Sequence, residues 1–361
     1  MKRKVWNLWY FVFVAALLWG LTACGAATSE PAEPAEEEPV AEEAPAEEEA
    51  PAEEEAATEE EAPAEEEASE AVPSQDVTIN LAENPWSGSQ VNVAVAKILL
   101  EEQLGYPVEI VSIDENAQWS ALASGDLDAS LEVWPSGHAD NAALYIDEQG
   151  SVENGGLLGP VGEIGWFMPS YVLNDHPDMA TWEGFTNPDA AALFATAETG
   201  DRGQFLAGDQ SWVQYDAEII ENLGIDFDVV TAGSEEALLA ALDSAYSREE
   251  PVLFYFWTPH SIHAKYDLTQ VELPAYSDEC YAKIEEGGVD CAYPSDELYK
   301  IISAQLAEKA PNAYTFLKNF NYSTEDQIEM IAAVELDGKS PEEAAQAWID
   351  ANQATWEAWL P

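Results

Sequence analysis

From Val77 onward the chain alternates short apolar runs with longer stretches in which apolar residues recur every three or four positions. Val77–Leu81 has a strand pattern and runs into the turn-forming Asn84-Pro85-Trp86-Ser87-Gly88. A helix is predicted over Ser89–Gln103, because Val91, Val95, Ile98 and Leu99 share one face, and Gly105 and Pro107 end it. Val108–Ile113 predicts a second strand, Asn116–Ser124 a helix, and Ala129–Trp134 a third strand. Strands and helices in this order imply a largely parallel sheet, since each parallel pair needs a crossover that covers the sheet. The pattern then repeats. Strands near Gly203–Ala207, Phe227–Thr231 and Val252–Trp257 are separated by helices at Ser211–Leu223 and Glu235–Ser247. Beyond Tyr293 the periodicity is helical, with segments at Asp296–Lys309, Pro311–Phe320, Ser323–Glu335 and Pro341–Trp359. The expectation is an α/β protein of two lobes with C-terminal helices. Residues 77–163 and 262–361 form the first lobe and 164–261 the second.

Upstream of Val77 the composition changes twice. Residues 1–24 pass from Lys2, Arg3 and Lys4 through an apolar run, Val5 to Trp19, to Leu21-Thr22-Ala23-Cys24. A basic start, an apolar middle and small residues at the exit make an export signal. Its end resembles the lipobox of bacterial lipoproteins, which implies that Cys24 carries lipid and begins the mature chain. An uncleaved anchor is the competing interpretation, because the apolar run is nearly long enough to cross a bilayer. Both place the rest of the chain outside the cytoplasm. Residues 25–76 are almost wholly Glu, Ala and Pro, without Lys, Arg or any aromatic residue. Such a segment cannot bury enough apolar surface to offset chain ordering, so a disordered acidic stalk is expected. Its random-coil reach is roughly 40 Å.

Charge narrows the function classes. Of 71 acidic residues 21 lie in the stalk, and of 12 basic residues three lie in the leader, so the folded part is strongly acidic. Nucleic acid as a partner is excluded on this ground, because its phosphates require clustered Lys and Arg. The acidity suits a saline habitat, where screening relieves self-repulsion, or simply a very soluble surface. Cys280 and Cys291 lie close together in an exported chain, so a disulfide is expected. There is no Gly-x-Ser-x-Gly, no phosphate-cradling glycine loop and no zinc triplet, so neither an enzyme nor a cofactor is expected. His260 and His263 are three apart, but no third ligand completes a metal spacing.

The informative residues are tryptophans at strand ends. Trp134-Pro135 closes the third strand and Trp257-Thr258-Pro259 the sixth, and proline directly after the motif stops sheet pairing. Trp212 follows the turn-rich Gly208-Asp209-Gln210-Ser211 near a predicted helix start. In open α/β sheets ligands settle beyond the carboxyl ends of the strands, so these rings would surround a cleft. Aromatic faces are what a fully methylated ammonium requires. It donates no conventional hydrogen bond, and each ring contributes about 0.5 to 2 kcal/mol. His138, four residues after Trp134, and free backbone N–H groups at the helix start after Trp212 could hold an anionic tail. Asn84 and Trp86, after the first strand, are further candidates for the cleft wall.

These motifs resemble those of glycine betaine/proline betaine-binding proteins of ABC importers, over nearly the whole of 77–361. The resemblance rests on Ala121-Leu122-Ala123-Ser124-Gly125-Asp126, Trp134-Pro135-Ser136-Gly137-His138, Ser211-Trp212 and Phe254-Tyr255-Phe256-Trp257-Thr258-Pro259-His260. It implies a type II periplasmic-binding fold, with Trp134, Trp212 and Trp257 boxing a trimethylammonium group. It also implies that His138 and the backbone amides of Val213 and Gln214 hold the ligand carboxylate. Where some relatives have Gly-Trp-Gly-Cys, this chain has Ser-Trp-Val-Gln, which leaves backbone donation possible but alters the pocket near the carboxylate. The implied partners are an importer permease and ATPase. Choline is the alternative ligand, and a structural surface lipoprotein the alternative class. Lobe closure is expected about hinges near Gly162–Trp166 and Thr258–Ala264.

Overall fold

A computed structural model describes residues 75–361. The leader, Cys24 and nearly all of the stalk lie outside the described residues. Strands β1 (Ile79–Glu83), β2 (Val108–Ser112) and β3 (Ala129–Val133) form the expected parallel unit, with β1 in the centre. Helix α1 (Ser87–Leu104) follows β1 and ends at Gly105, whose φ of 72° is the left-handed conformation glycine adopts most cheaply. Helix α2 (Ala117–Ser124) connects β2 to β3. A second parallel unit consists of β5 (Gly203–Ala207), β6 (Phe227–Thr231) and β7 (Leu253–Thr258).

Two long strands join the units. β4 (Val152–Pro169) pairs antiparallel with β9 (Ser295–Ser303) along its first part and with β7 along its second. The exchange of partner falls at Glu163, which faces both Ser295 and Thr258, within the first expected hinge. β8 (Leu268–Gln270) adds to the far end of β4. The complete order is β2-β1-β3-β9-β4-β7-β5-β6.

Three expectations are corrected. β4 itself was not expected, because its glycines and Pro160 read locally as a loop; pairing on both sides overrides that weak propensity. Asp296–Lys309 is not one helix but β9 followed by a short helix, Leu306–Lys309. Its apolar residues are buried on both faces of a central strand, which erases the alternation that marks a strand. Finally, the expected return to the first lobe at 262 is displaced. Ile262, Tyr266, Val271, Cys280, Val289, Cys291 and Tyr293 all pack with Trp166, Phe205 and Phe254 in the second core, so the chain crosses back only between Tyr293 and β9. The disulfide Cys280–Cys291 lies within that segment.

The first core gathers Leu81, Val95, Leu131, Phe316 and Trp348 between the sheet and the C-terminal helices Pro311–Asn319, Thr324–Glu335 and Pro341–Ala351. Fully burying side chains of this size contributes about 1.5–3 kcal/mol each. Ser323 and Ser340 begin the last two of these helices with capping boxes, satisfying backbone donors that would otherwise lack partners. Among the described residues no helix is long and apolar enough to cross a membrane.

Candidate functional site

Both parallel units direct the carboxyl ends of their strands toward one cavity. Trp86 follows β1, Glu115 follows β2, Trp134 follows β3, Trp212 follows β5, and Trp257 is the penultimate residue of β7. Together with Tyr255 they line a space of about 440 Å³, counted out to its open mouth. No Lys or Arg is among its lining residues.

Trp212 is the centre of the aromatic wall. Its ring meets Trp86 edge-on at 6.2 Å, Trp257 edge-on at 5.2 Å and Tyr255 at 6.2 Å. Trp257 is backed by Phe256, stacked at 4.4 Å. Trp134 is only partly buried and touches the cores of both lobes. Glycine makes room for two of these rings. A Cβ on Gly162 would lie 2.2 Å from the Trp134 ring, and one on Gly208 would lie 2.3 Å from that of Trp212. The segment expected to be helical from Ser211 is a loop up to Tyr215, with the helix starting at Asp216. The side chains of Asp209 and Gln214 hold that loop: Asp209 accepts from Ser211 N at 2.7 Å, and Gln214 accepts from Gly208 N at 3.0 Å.

Behind the cage sits Glu132, a residue the sequence did not single out. One of its oxygens accepts from Trp86 Nε1 at 2.7 Å and Trp134 Nε1 at 3.1 Å. The other accepts from Asn92 Nδ2 at 2.6 Å and Gln327 Nε2 at 2.8 Å. Burial pushes the Glu132 pKa up, and the four donors pull it back. The carboxyl therefore orients two indoles and places acceptor oxygens, negative when ionised, at their N–H edges. The pairing of β3 with β9 shifts register between Ser130 and Val133, a bulge of the kind that re-aims side chains beside a site.

The expected anion-binding donors are arranged otherwise. His138 is buried, and its Nδ1 lies 3.3 Å from Asn141 Nδ2, which leaves the proton on Nε2. That Nε2 faces Glu115 Oε2 at 3.1 Å, without the alignment of a full hydrogen bond. The backbone N–H of Val213 donates to Glu115 Oε1 at 2.7 Å. Glu115 thus stands on the donors expected for a ligand carboxylate, and His138 is not part of the cavity wall. Gln214 braces its loop through its side chain and is likewise absent from the wall. Asn84 is buried, donating to Ile113 O and Gln118 Oε1, so only Trp86 of that pair reaches the cavity.

The lobes meet around the site. Glu235, first residue of the helix Glu235–Ser247, accepts from Ser87 N at 2.8 Å and Ser87 Oγ at 2.7 Å. It thereby caps α1, whose own N-cap residue, Trp86, supplies no side-chain acceptor. His260 Nε2 lies 2.7 Å from the same carboxylate, and its Nδ1 accepts from Ile262 N. His263 instead meets the Trp257 carbonyl at 3.2 Å, so the two histidines do not converge.

The chain matches the family model for the substrate binding domain of ABC-type glycine betaine transport systems over residues 77–351. It is 29% identical over 279 residues to the trimethylamine N-oxide-binding protein of Pelagibacter ubique (strain HTCC1062), covering 75% of this chain and 87% of that protein. It is 23% identical over 311 residues to the glycine betaine/proline betaine-binding periplasmic protein of Escherichia coli (strain K12), covering 80% and 91%. Its fold is similar to the crystal structure of the glycine/betaine/L-proline-binding protein of Borrelia burgdorferi, with a TM-score of 0.65 at 18% identity, covering 79% of this chain and 97% of that one.

Proposed function

Because the chain belongs to the family of substrate-binding domains of ABC-type glycine betaine transport systems, whose members are transport receptors and not enzymes, we propose that it captures a small methylated ammonium ligand between its lobes. The observation that carries this is the cage: four indoles around a cavity lacking basic residues, two of them anchored on buried Glu132. A methylated ammonium offers no conventional donor and gains instead from ring quadrupoles, most strongly where water is excluded. Glycine betaine, proline betaine and choline all carry such a group. Ligand binding favours the closed arrangement, which the importer's membrane subunits then receive.

The relatives named above include a periplasmic protein, and the export signal at residues 1–24 supports the same extracytoplasmic setting here. Lipidation of Cys24, with residues 25–76 as a tether, is the finer part of the proposal. Incorporation of labelled fatty acid that disappears in Cys24→Ser is the outcome expected.

The receptor itself is tested by calorimetric titration with glycine betaine and choline, on wild type and Trp257→Ala. Saturable binding of either, weakened in the variant, supports the cage. If neither binds and tetramethylammonium also fails, the methylated-ammonium assignment is wrong.

A further inference from the structure

We propose that Glu115 is a built-in carboxylate occupying the place where a zwitterionic ligand would put its own, so that the site selects methylated nitrogen compounds without a carboxylate tail. The inference rests on the cage assigned above and narrows its ligand.

The position of Glu115 carries the argument. Its two oxygens stand at the two groups suited to grip an anion, Val213 N at 2.7 Å and His138 Nε2 at 3.1 Å. Glu115 is buried and forms part of the cavity wall, whereas His138 lies behind it. It is also held there by the local chain. Asp114 Oδ1 accepts from Asn116 N at 2.9 Å and Ala117 N at 3.0 Å, which fixes the turn between β2 and α2 on which Glu115 sits. A ligand carboxylate entering this cavity would find the Val213 donor engaged, His138 Nε2 faced by Glu115, and a like charge in its place. No Lys or Arg lines the cavity to offset the repulsion.

A ligand whose tail donates a hydrogen bond meets no such conflict, and one that ends in a single oxygen brings one acceptor rather than the two of a carboxylate. A hydroxyalkyl ammonium such as choline brings a cation for the rings and an O–H that can donate to Glu115. A trimethylamine oxide brings the same methylated head with a single oxygen as its tail. Both share the methylated head, and the polar tail tells them apart. A donor tail uses the Glu115 charge, and an acceptor tail does not.

The test is calorimetric titration of the purified protein with tetramethylammonium, choline, trimethylamine N-oxide and glycine betaine, on wild type, Glu115→Gln and Glu115→Ala. Choline or trimethylamine N-oxide is expected to bind wild type at least tenfold more tightly than glycine betaine. Glu115→Ala, which frees the Val213 and His138 donors, is expected to raise glycine betaine affinity at least tenfold while tetramethylammonium still binds. A tenfold loss of choline in Glu115→Gln assigns a hydroxyl donor to Glu115, and an unchanged, tighter trimethylamine N-oxide assigns the amine oxide. Wild-type protein that binds glycine betaine as tightly as both others overturns the proposal and leaves the cage intact. Failure of all four, tetramethylammonium included, removes the cage itself. Should Glu115→Ala not fold, the wild-type ranking alone decides.

Discussion

Trp212 illustrates what a single side chain does here: it touches three other aromatic rings, and its own ring lies on Gly208. Trp212→Ala and Trp257→Ala should each weaken binding of a methylated cation by about 2- to 30-fold, corresponding to about 0.5–2 kcal/mol per ring. Titration calorimetry with tetramethylammonium reads this directly, and unchanged affinity in both variants would sink the cage. Asp216 gives a second prediction. Burial pushes its carboxyl up to about 7, although Trp166 Nε1 at 2.6 Å and Tyr293 Oη at 3.2 Å donate to it. The folded pKa lies above the unfolded value of about 3.9, so the folded state holds the proton more tightly. This group's contribution is therefore fully present below about pH 4, is lost as pH rises toward 7, and changes little above that. Asp216→Asn keeps an acceptor for Trp166 and removes that slope. The melting temperature of the variant should gain on wild type between pH 4 and 7, and parallel curves would refute the assignment. The tryptophans at strand ends were legible because Pro135 and Pro259 mark where strands stop. Glu132 and Glu115 were not, since carboxylates are too abundant in this chain for any one to stand out.

Among the elements, two helix beginnings meet between the lobes, in addition to the Val213–Glu115 contact. α1 starts at Ser87 without a side-chain cap of its own, and Glu235 supplies the anion from the opposite lobe. Charge-assisted hydrogen bonds of this kind contribute about 1.5–3 kcal/mol. Glu235→Ala should lower affinity for every cage ligand by about tenfold or more without changing their ranking, because it touches none of them. X-ray scattering should show a more open protein in the absence of ligand. A changed ranking would mean that Glu235 acts on the ligand rather than on closure. Most strands and helices of the two parallel units were legible from periodicity. β4 and β9 were not: one is interrupted by glycines, and the other is buried on both faces and reads as helix.

At the scale of the whole molecule, β4 and β9 join the two lobes, and the closure proposed above would flex this pair of strands where β4 changes partner at Glu163. The segment Ile262–Tyr293 packs with the core of the second lobe, and its disulfide closes a short loop inside that lobe. Replacing both cysteines by serine should lower stability by about 3 kcal/mol in the chain-entropy model. Ligand affinity at low temperature should change little, because the loop does not cross the cleft. Denaturant unfolding and calorimetry on the same variant separate the two effects. The strong acidity of residues 77–361 acts on the whole surface. Added salt should raise the melting temperature by screening self-repulsion, and a melting point independent of salt would show that the charges are too far apart to matter.

The sequence by itself determined the alternation of elements, the lobed α/β class and the tryptophans at strand ends, because periodicity and proline stops act over a few neighbouring residues. The acidic character is likewise a matter of composition. Only the tertiary structure decided which lobe presents Trp257, where the chain crosses back, and which carboxylates stand behind and beside the cage. Those depend on contacts between residues far apart in the chain, such as Glu115 with Val213 and Ser87 with Glu235, whose pairing no local pattern records.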